Sequence, residues 1–232
     1  MKIVLNNKCN FTKEEFKDYI NKLEKLNSSN NLIICPSSIY LSSISTNKII
    51  LGSQNVSKYE MGPHTGEVSA KQLKSLGVKY VLVGHHERIK ECNETIEDIK
   101  QKIKLLLNEN ITPILCVGET KEERQNNSND KLLKIAQLIL SDLTTKDIKK
   151  IIIAYEPIWC IGTGLTPTWE EIEKTANLLK NNLEINEVLY GGSVNEETIK
   201  ALKTSSKIDG YLLGELSLIP EKLEKFINIL EN

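Results

Sequence analysis

A single closed (β/α)8 barrel over residues 1–232 is the fold this sequence predicts, on three observations. Eight short, β-branched and almost wholly apolar runs recur along the chain, as parallel strands covered by helices require. Helical patterns separate them, and strand–helix alternation implies a parallel sheet. The length suits one barrel. An open doubly wound sheet, the competing architecture, would want a phosphate-binding glycine turn after its first strand, where LNNKCN has no glycine.

In chain order, strands are expected at 2–5, 32–35, 49–51, 80–83, 114–117, 151–155, 188–190 and 211–213. The clearest helix is 94–110, where Ile96, Ile99, Ile103, Leu106 and Leu107 recur at three- and four-residue steps and make one apolar face. Similar spacing predicts helices at 13–26, 131–140, 169–183 and 221–230, with shorter ones near 69–76 and 196–202. The crossover near 37–43 is weak, and NNSND at 126–130 is a polar loop that starts a helix.

Composition narrows the function classes. Net charge is −1, so no basic field argues for nucleic acid or an anionic membrane. No apolar run is long enough to span a bilayer, and MKIVLNNKCN has no signal-peptide cleavage site. Cys9, Cys35, Cys92, Cys116 and Cys160 are scattered without a C-x-x-C, which reads as free thiols in a reducing cytoplasmic compartment. His64, His85 and His86 show no metal-ligand spacing, and adjacent histidines in extended chain point to opposite sides, so no metal is expected.

In a barrel, residues at the C-terminal strand ends converge on one mouth. Asn6 and Lys8 follow the first strand, GHHER with His85 the fourth, and Glu156 the sixth. Gly191-Gly192-Ser193 follows the seventh and Gly214-Glu215 the eighth. The glycine turns can present backbone N–H groups to a phosphate. A carboxylate, a histidine and a lysine around a phosphate suggest proton abstraction next to a carbonyl. Gly162-Thr163-Gly164, with Trp159 and Ile161, then reads as a water-excluding lid. Taken singly, each residue has a plainer reading: a strand-end charge, a core histidine, a loop, a chain turn.

The chain resembles the triosephosphate isomerase family end to end. The resemblance is carried by N-x-K at 6–8, SQNVS at 53–57, TGEVS at 65–69, GHHER at 84–88, TPILCVGET at 112–120, AYEPIWCIGTG at 154–164, YGGSV at 190–194 and DGYLLG at 209–214. It implies a TIM barrel that interconverts dihydroxyacetone phosphate and D-glyceraldehyde 3-phosphate without a cofactor. By resemblance, Glu156 is the base and His85 a neutral electrophile, its pKa lowered by a helix N-terminus. Lys8 offsets charge on the phosphate and enediolate, and Asn6 lines the pocket. Gly162, Ser193, Gly214 and Glu215 hold the phosphate, and Glu87 orients Lys8. The loop of Thr65, Gly66 and Glu67 projects into a partner, which implies a homodimer.

Four departures from the family pattern stand out. His86 replaces the usual serine beside the base, Asn7 replaces an aromatic, and Leu165 and Pro167 alter the end of the lid. Glu215 replaces the second glycine of the last phosphate turn, and its carboxylate is expected to point outward. Two other readings remain beside the isomerase: a non-catalytic phosphate-binding descendant, and a different sugar-phosphate isomerase.

Overall fold

The structure is a computed structural model that describes residues 1–45, 48–125, 128–160, 165–194, 196–205 and 207–231. Its eight described strands are β1 (Lys2–Asn6), β2 (Asn31–Cys35), β3 (Ile50–Ser53), β4 (Tyr80–Val83), β5 (Thr112–Val117), β6 (Ile152–Tyr155), β7 (Glu187–Tyr190) and β8 (Gly210–Leu213). All neighbours pair in parallel, and β8 pairs back to β1, so the sheet closes into a barrel in sequence order.

The crossovers carry α1 (Lys13–Leu23), α2 (Ala70–Ser75), α3 (His86–Cys92), α4 (Ile96–Asn108), α5 (Lys121–Gln125), α6 (Ser128–Leu140), α7 (Thr145–Ile148), α8 (Trp169–Leu183), α9 (Glu196–Leu202) and α10 (Pro220–Glu231). The weak second crossover is a 3-10 turn, Ser38–Ser43. Several helices start on a side-chain cap: Thr12, Ser69, Thr95 and Thr168 each close a capping box with a residue three positions on.

Two-residue alternation splits the core. Val4, Ile33, Leu82, Ile114, Ile152, Ala154, Leu189 and Leu212 fill the barrel interior. The intervening Ile3, Leu5, Val83, Leu115, Ile153, Tyr155 and Tyr190 pack outward against the helices. Carrying the inward parity one step beyond the apolar layers brings Asn6, Gly84, Gly118, Glu156, Gly191 and Gly214 to the mouth. On these six strands the top layer is four glycines, one amide and one carboxylate.

Observed strands begin earlier than expected at β2, β5, β7 and β8. Asn31, Thr112, Glu187 and Gly210 carry no apolar signal, but their backbones are in register with Lys2, Tyr80, Ile152 and Lys2 again. In β3 the strand runs through Gly52 and Ser53, and Ile49 lies outside it. The helices α3, α5 and α7 have only 7, 5 and 4 residues, too short to show a periodic face. Within 126–130 the described residues do enter a helix at Ser128.

Thr95→Ala removes the α4 cap while touching nothing at the mouth. It should lower unfolding free energy by about 1 kcal/mol in urea denaturation, with KM unchanged.

Candidate active site

The strand ends enclose a cleft of about 530 Å³ lined by Asn6, Lys8, His85, His86, Glu156 and the turns 191–194 and 212–216. Asn6, Lys8, His85, Glu156, Ser193, Gly214 and Glu215 are thus brought together. Gly162 and its neighbours 161, 163 and 164 lie outside the described residues. Thr65, Gly66 and Glu67 are exposed and do not line the cleft.

Glu156 continues the inward series Ile152, Ala154 and is 3% exposed. Its N–H donates to the Val117 carbonyl at 2.8 Å. Two glycines make its space. A Cβ on Gly118 would lie 1.7 Å from the Glu156 carbonyl oxygen, and one on Gly191 would lie 2.7 Å from Glu156 Cγ. The Oε1 atom lies 3.4 Å from His85 Nε2, and Oε2 faces His86 Nδ1 at 3.9 Å. Neither Oε2 nor His86 Nδ1 has a hydrogen-bond partner among the described residues.

Burial alone would raise the Glu156 pKa. The His85 imidazole facing Oε1, with a smaller pull from His86 beside Oε2, overturns this and holds the pKa at about 2. His85 shows the mirror effect. Burial pushes its pKa down, but Glu156 and then Glu87 outweigh burial and Lys8, and the net direction is up. This runs against the expected lowering. The helix contribution is present, since His85 caps α3 and its Nδ1 accepts the Glu87 N–H at 3.3 Å. A facing carboxylate at 3.4 Å outweighs it. Nδ1 takes that N–H through its lone pair, so the ring carries its proton on Nε2, towards Glu156.

Lys8 has a left-handed backbone, φ 51, unusual for a side chain with a Cβ. Three groups hold it there. Asn6 Oδ1 accepts the Lys8 N–H at 3.1 Å, and Gln54 Nε2 and Ser37 Oγ donate to the Lys8 carbonyl at 2.9 and 3.4 Å. The Lys8 ammonium pairs with Glu87 Oε1 at 2.6 Å. Burial would raise the Glu87 pKa, but the bond to Lys8 brings it down.

The expectation that His85 and His86 face opposite ways fails. Gly84, at φ 71, turns the chain out of β4, and His86 already lies in α3, so the two rings sit 4.4 Å apart. With Glu87 they form the one His/Cys/Asp/Glu cluster among the described residues with ligand atoms within 4.8 Å of one another. Two of its three members are engaged: His85 Nδ1 by the Glu87 N–H, and Glu87 by Lys8.

Ser193 Oγ donates to the Cys160 carbonyl at 3.0 Å, which ties the β7 turn to the near side of the lid. Glu215 is exposed and also lines the cleft. Trp159 does not line the cleft. Its indole N–H donates to Glu119 Oε1 at 3.0 Å, and the Arg124 guanidinium lies 4.3 Å over its ring. The segment read as a cover is, at Trp159, an anchor.

A sequence model of the triosephosphate isomerase family matches residues 1–231. A triosephosphate isomerase from Mesomycoplasma hyopneumoniae (strain 232) is 40% identical over 239 residues, covering 97% of this chain and 98% of that protein. One from Clostridium beijerinckii is 36% identical over 240 residues, covering 96% of each. The chain belongs to the triosephosphate isomerase family.

Against that family frame, sequence reasoning missed several residues that shape the site. Glu119 and Arg124 anchor Trp159, and Gln54 fixes Lys8. Glu119 and Gln54 sit inside motifs that carry the resemblance, but neither stands out by residue type. Lys222, on the first turn of α10, lines the cleft. As an ordinary exposed helix lysine, it gives no signal in the sequence.

Glu156→Gln removes the largest upward pull on His85 and leaves burial, which pulls down. The His85 pKa should therefore fall relative to the parent when its ring nitrogens are titrated by ¹⁵N NMR. An unchanged value would show that Glu156 does not control that ring.

Proposed function

We propose that the chain isomerises triose phosphates through an enediolate, with Glu156 as the proton-transferring base and His85 as the electrophile. The reaction, interconversion of dihydroxyacetone phosphate and D-glyceraldehyde 3-phosphate, is that of the family to which the chain belongs. The single observation that carries the residue assignment is the placement of Glu156. It is an ionised carboxylate buried at the barrel mouth, with an imidazole nitrogen 3.4 Å away and a lysine lining the same cleft.

On this reading the substrate enters between Glu156 and His85. The carboxylate takes a proton from one carbon and returns it to the next. His85 Nε2–H donates to the carbonyl oxygen, and the Glu87 N–H on Nδ1 favours this neutral form. The upward pull of Glu156 opposes neutrality only while the two side chains face each other. Lys8 balances the negative charge that develops on the enediolate, and Asn6 keeps the Lys8 backbone in place. The phosphate lies at the turns of Gly191 to Ser193 and Gly214-Glu215, with Gly162 closing over it as in the family. Each phosphate turn offers backbone N–H groups, and Lys8 offsets charge from the same cleft.

A homodimer belongs to the same proposal. The loop from Gln54 to Ser69 has no regular element, and it exposes Tyr59 (43%) and Met61 (61%) beside Thr65, Gly66 and Glu67. Tyr59 stacks on His64 at 4.1 Å, so the loop is held by its own side chains. An ordered apolar tip suits burial in a partner. No described helix is long and apolar enough to cross a membrane, and all five cysteines are free, which accords with a cytoplasmic enzyme.

Glu156→Asp draws the carboxylate back by about 1 Å, a misplacement that costs about a hundredfold. A coupled assay should show that loss in kcat with little change in the affinity of a phosphate-bearing inhibitor. A fully active variant would remove Glu156 from the role of base. For the assembly, sedimentation at micromolar concentration should give a dimer; an active monomer would refute that part.

A further inference from the structure

We propose that Tyr19 is a positioning residue for the phosphate turn after β8, set in place by Asn7. The inference rests on the reading that this turn binds the phosphate. Asn7 lies between two residues of the site, Asn6 and Lys8, but its parity is outward, towards α1. It is completely buried. Its Nδ2 lies 3.1 Å from the Tyr19 hydroxyl, and that hydroxyl lies 2.7 Å from the Ser217 carbonyl.

The direction of this chain is forced. A carbonyl only accepts, so the single phenol proton goes to Ser217. The phenol oxygen is then an acceptor, and the Asn7 amide must present its NH₂ to it; the flipped amide would set oxygen against oxygen. Burial raises the Tyr19 pKa, so the donor stays protonated.

Ser217 is fully buried and closes the turn. Its N–H and its Oγ both reach the Gly214 carbonyl, at 2.9 and 2.6 Å, and its Oγ lies 3.5 Å from the Asn6 carbonyl. The Tyr19 phenol therefore fixes the Gly214–Ser217 turn from outside the barrel. Asn7, which orients the phenol, is the residue joining Asn6 to Lys8. The lysine loop and the phosphate turn, at opposite ends of the chain, are thereby held at one spacing.

Space filling does not account for the hydroxyl. Tyr19 stacks on Phe11 at 4.7 Å and sits 6.3 Å from Phe16, so phenylalanine would pack equally in this cluster. What tyrosine adds is the bond to Ser217. The device also gives Asn7 a role where the family usually has an aromatic.

The test uses the full chain, with inorganic phosphate as a competitive inhibitor and glyceraldehyde 3-phosphate as substrate. Tyr19→Phe should raise KM and the phosphate inhibition constant together, about tenfold, with kcat within about twofold, the pattern of lost uniform binding. Phe16→Leu, on the same helix, should lower the melting temperature without moving either constant. The double variant Asn7→Leu with Tyr19→Phe removes the buried donor left unpaired, so it should regain stability while KM stays high. If Tyr19→Phe leaves both constants unchanged, or if the double variant restores KM along with stability, Tyr19 is only structural and the inference is wrong. If inorganic phosphate fails to compete in the parent protein, the phosphate reading of the turn falls first, and this inference with it.

Discussion

The site depends on keeping an ionised carboxylate buried at the end of β6. Removing such a group from water costs several kcal/mol unless partners replace the water. Here the facing partners are two imidazoles, with the Lys8 ammonium paired to Glu87. The neighbouring architecture follows from this. Gly118 makes room for the Glu156 main chain and Gly191 for its side chain, and the turn at Gly84 brings both histidines to the same side. A carboxylate held at about 2 is a poor proton acceptor. On the proposed mechanism it becomes a competent base only when substrate takes the place of the imidazole. The clamp therefore keeps the base ionised and in place, and substrate binding tunes it.

A second buried carboxylate, Glu119, has different partners. Its Oε1 accepts from the Tyr155 hydroxyl at 2.9 Å and from the Trp159 indole at 3.0 Å, with Arg124 at 3.5 Å. Arg124 also pairs with Glu171, the residue that closes the capping box of α8. The Glu119 backbone carbonyl takes the Ile158 N–H at 3.0 Å. The segment between the base and the lid is thus bonded to the end of β5 through main chain and side chain. All three side-chain donors of Glu119 converge on Oε1, and its Oε2, like Oε2 of Glu156, has no partner among the described residues.

Most of the barrel was legible because its strands are buried on both faces and so read as apolar runs. What escaped notice was polar or short. Asn31, Thr112 and Glu187 join their strands through backbone pairing that leaves no mark on residue type. Helix α3 is seven residues long, so the sequence suggested extended chain at His85-His86 and set the two rings apart. The proposed catalytic set was chosen through motifs. The side chains that hold it, Gln54 under Lys8 and Glu119 under Trp159, contact it across strands and loops distant in sequence. No local pattern encodes those contacts. The direction of the His85 shift was equally hidden, because a 3.4 Å approach to Glu156 is a tertiary distance.

The departure at Glu215 can be weighed by the same electrostatics. A carboxylate about 6–7 Å from a phosphate costs roughly 2–3 kcal/mol per unit of phosphate charge at an effective dielectric near 20, and about 0.6 kcal/mol at that of water. Glu215 is exposed, which places it nearer the second limit. Lys222 lines the same cleft with the opposite charge. On the proposed reading the Lys222 charge opposes the repulsion from Glu215, and the backbone of the turn contributes the recognition. Backbone N–H groups do not depend on side-chain identity, so glutamate can stand where the family has glycine, provided the main chain keeps its path. Ser217 and the residues behind it hold that path.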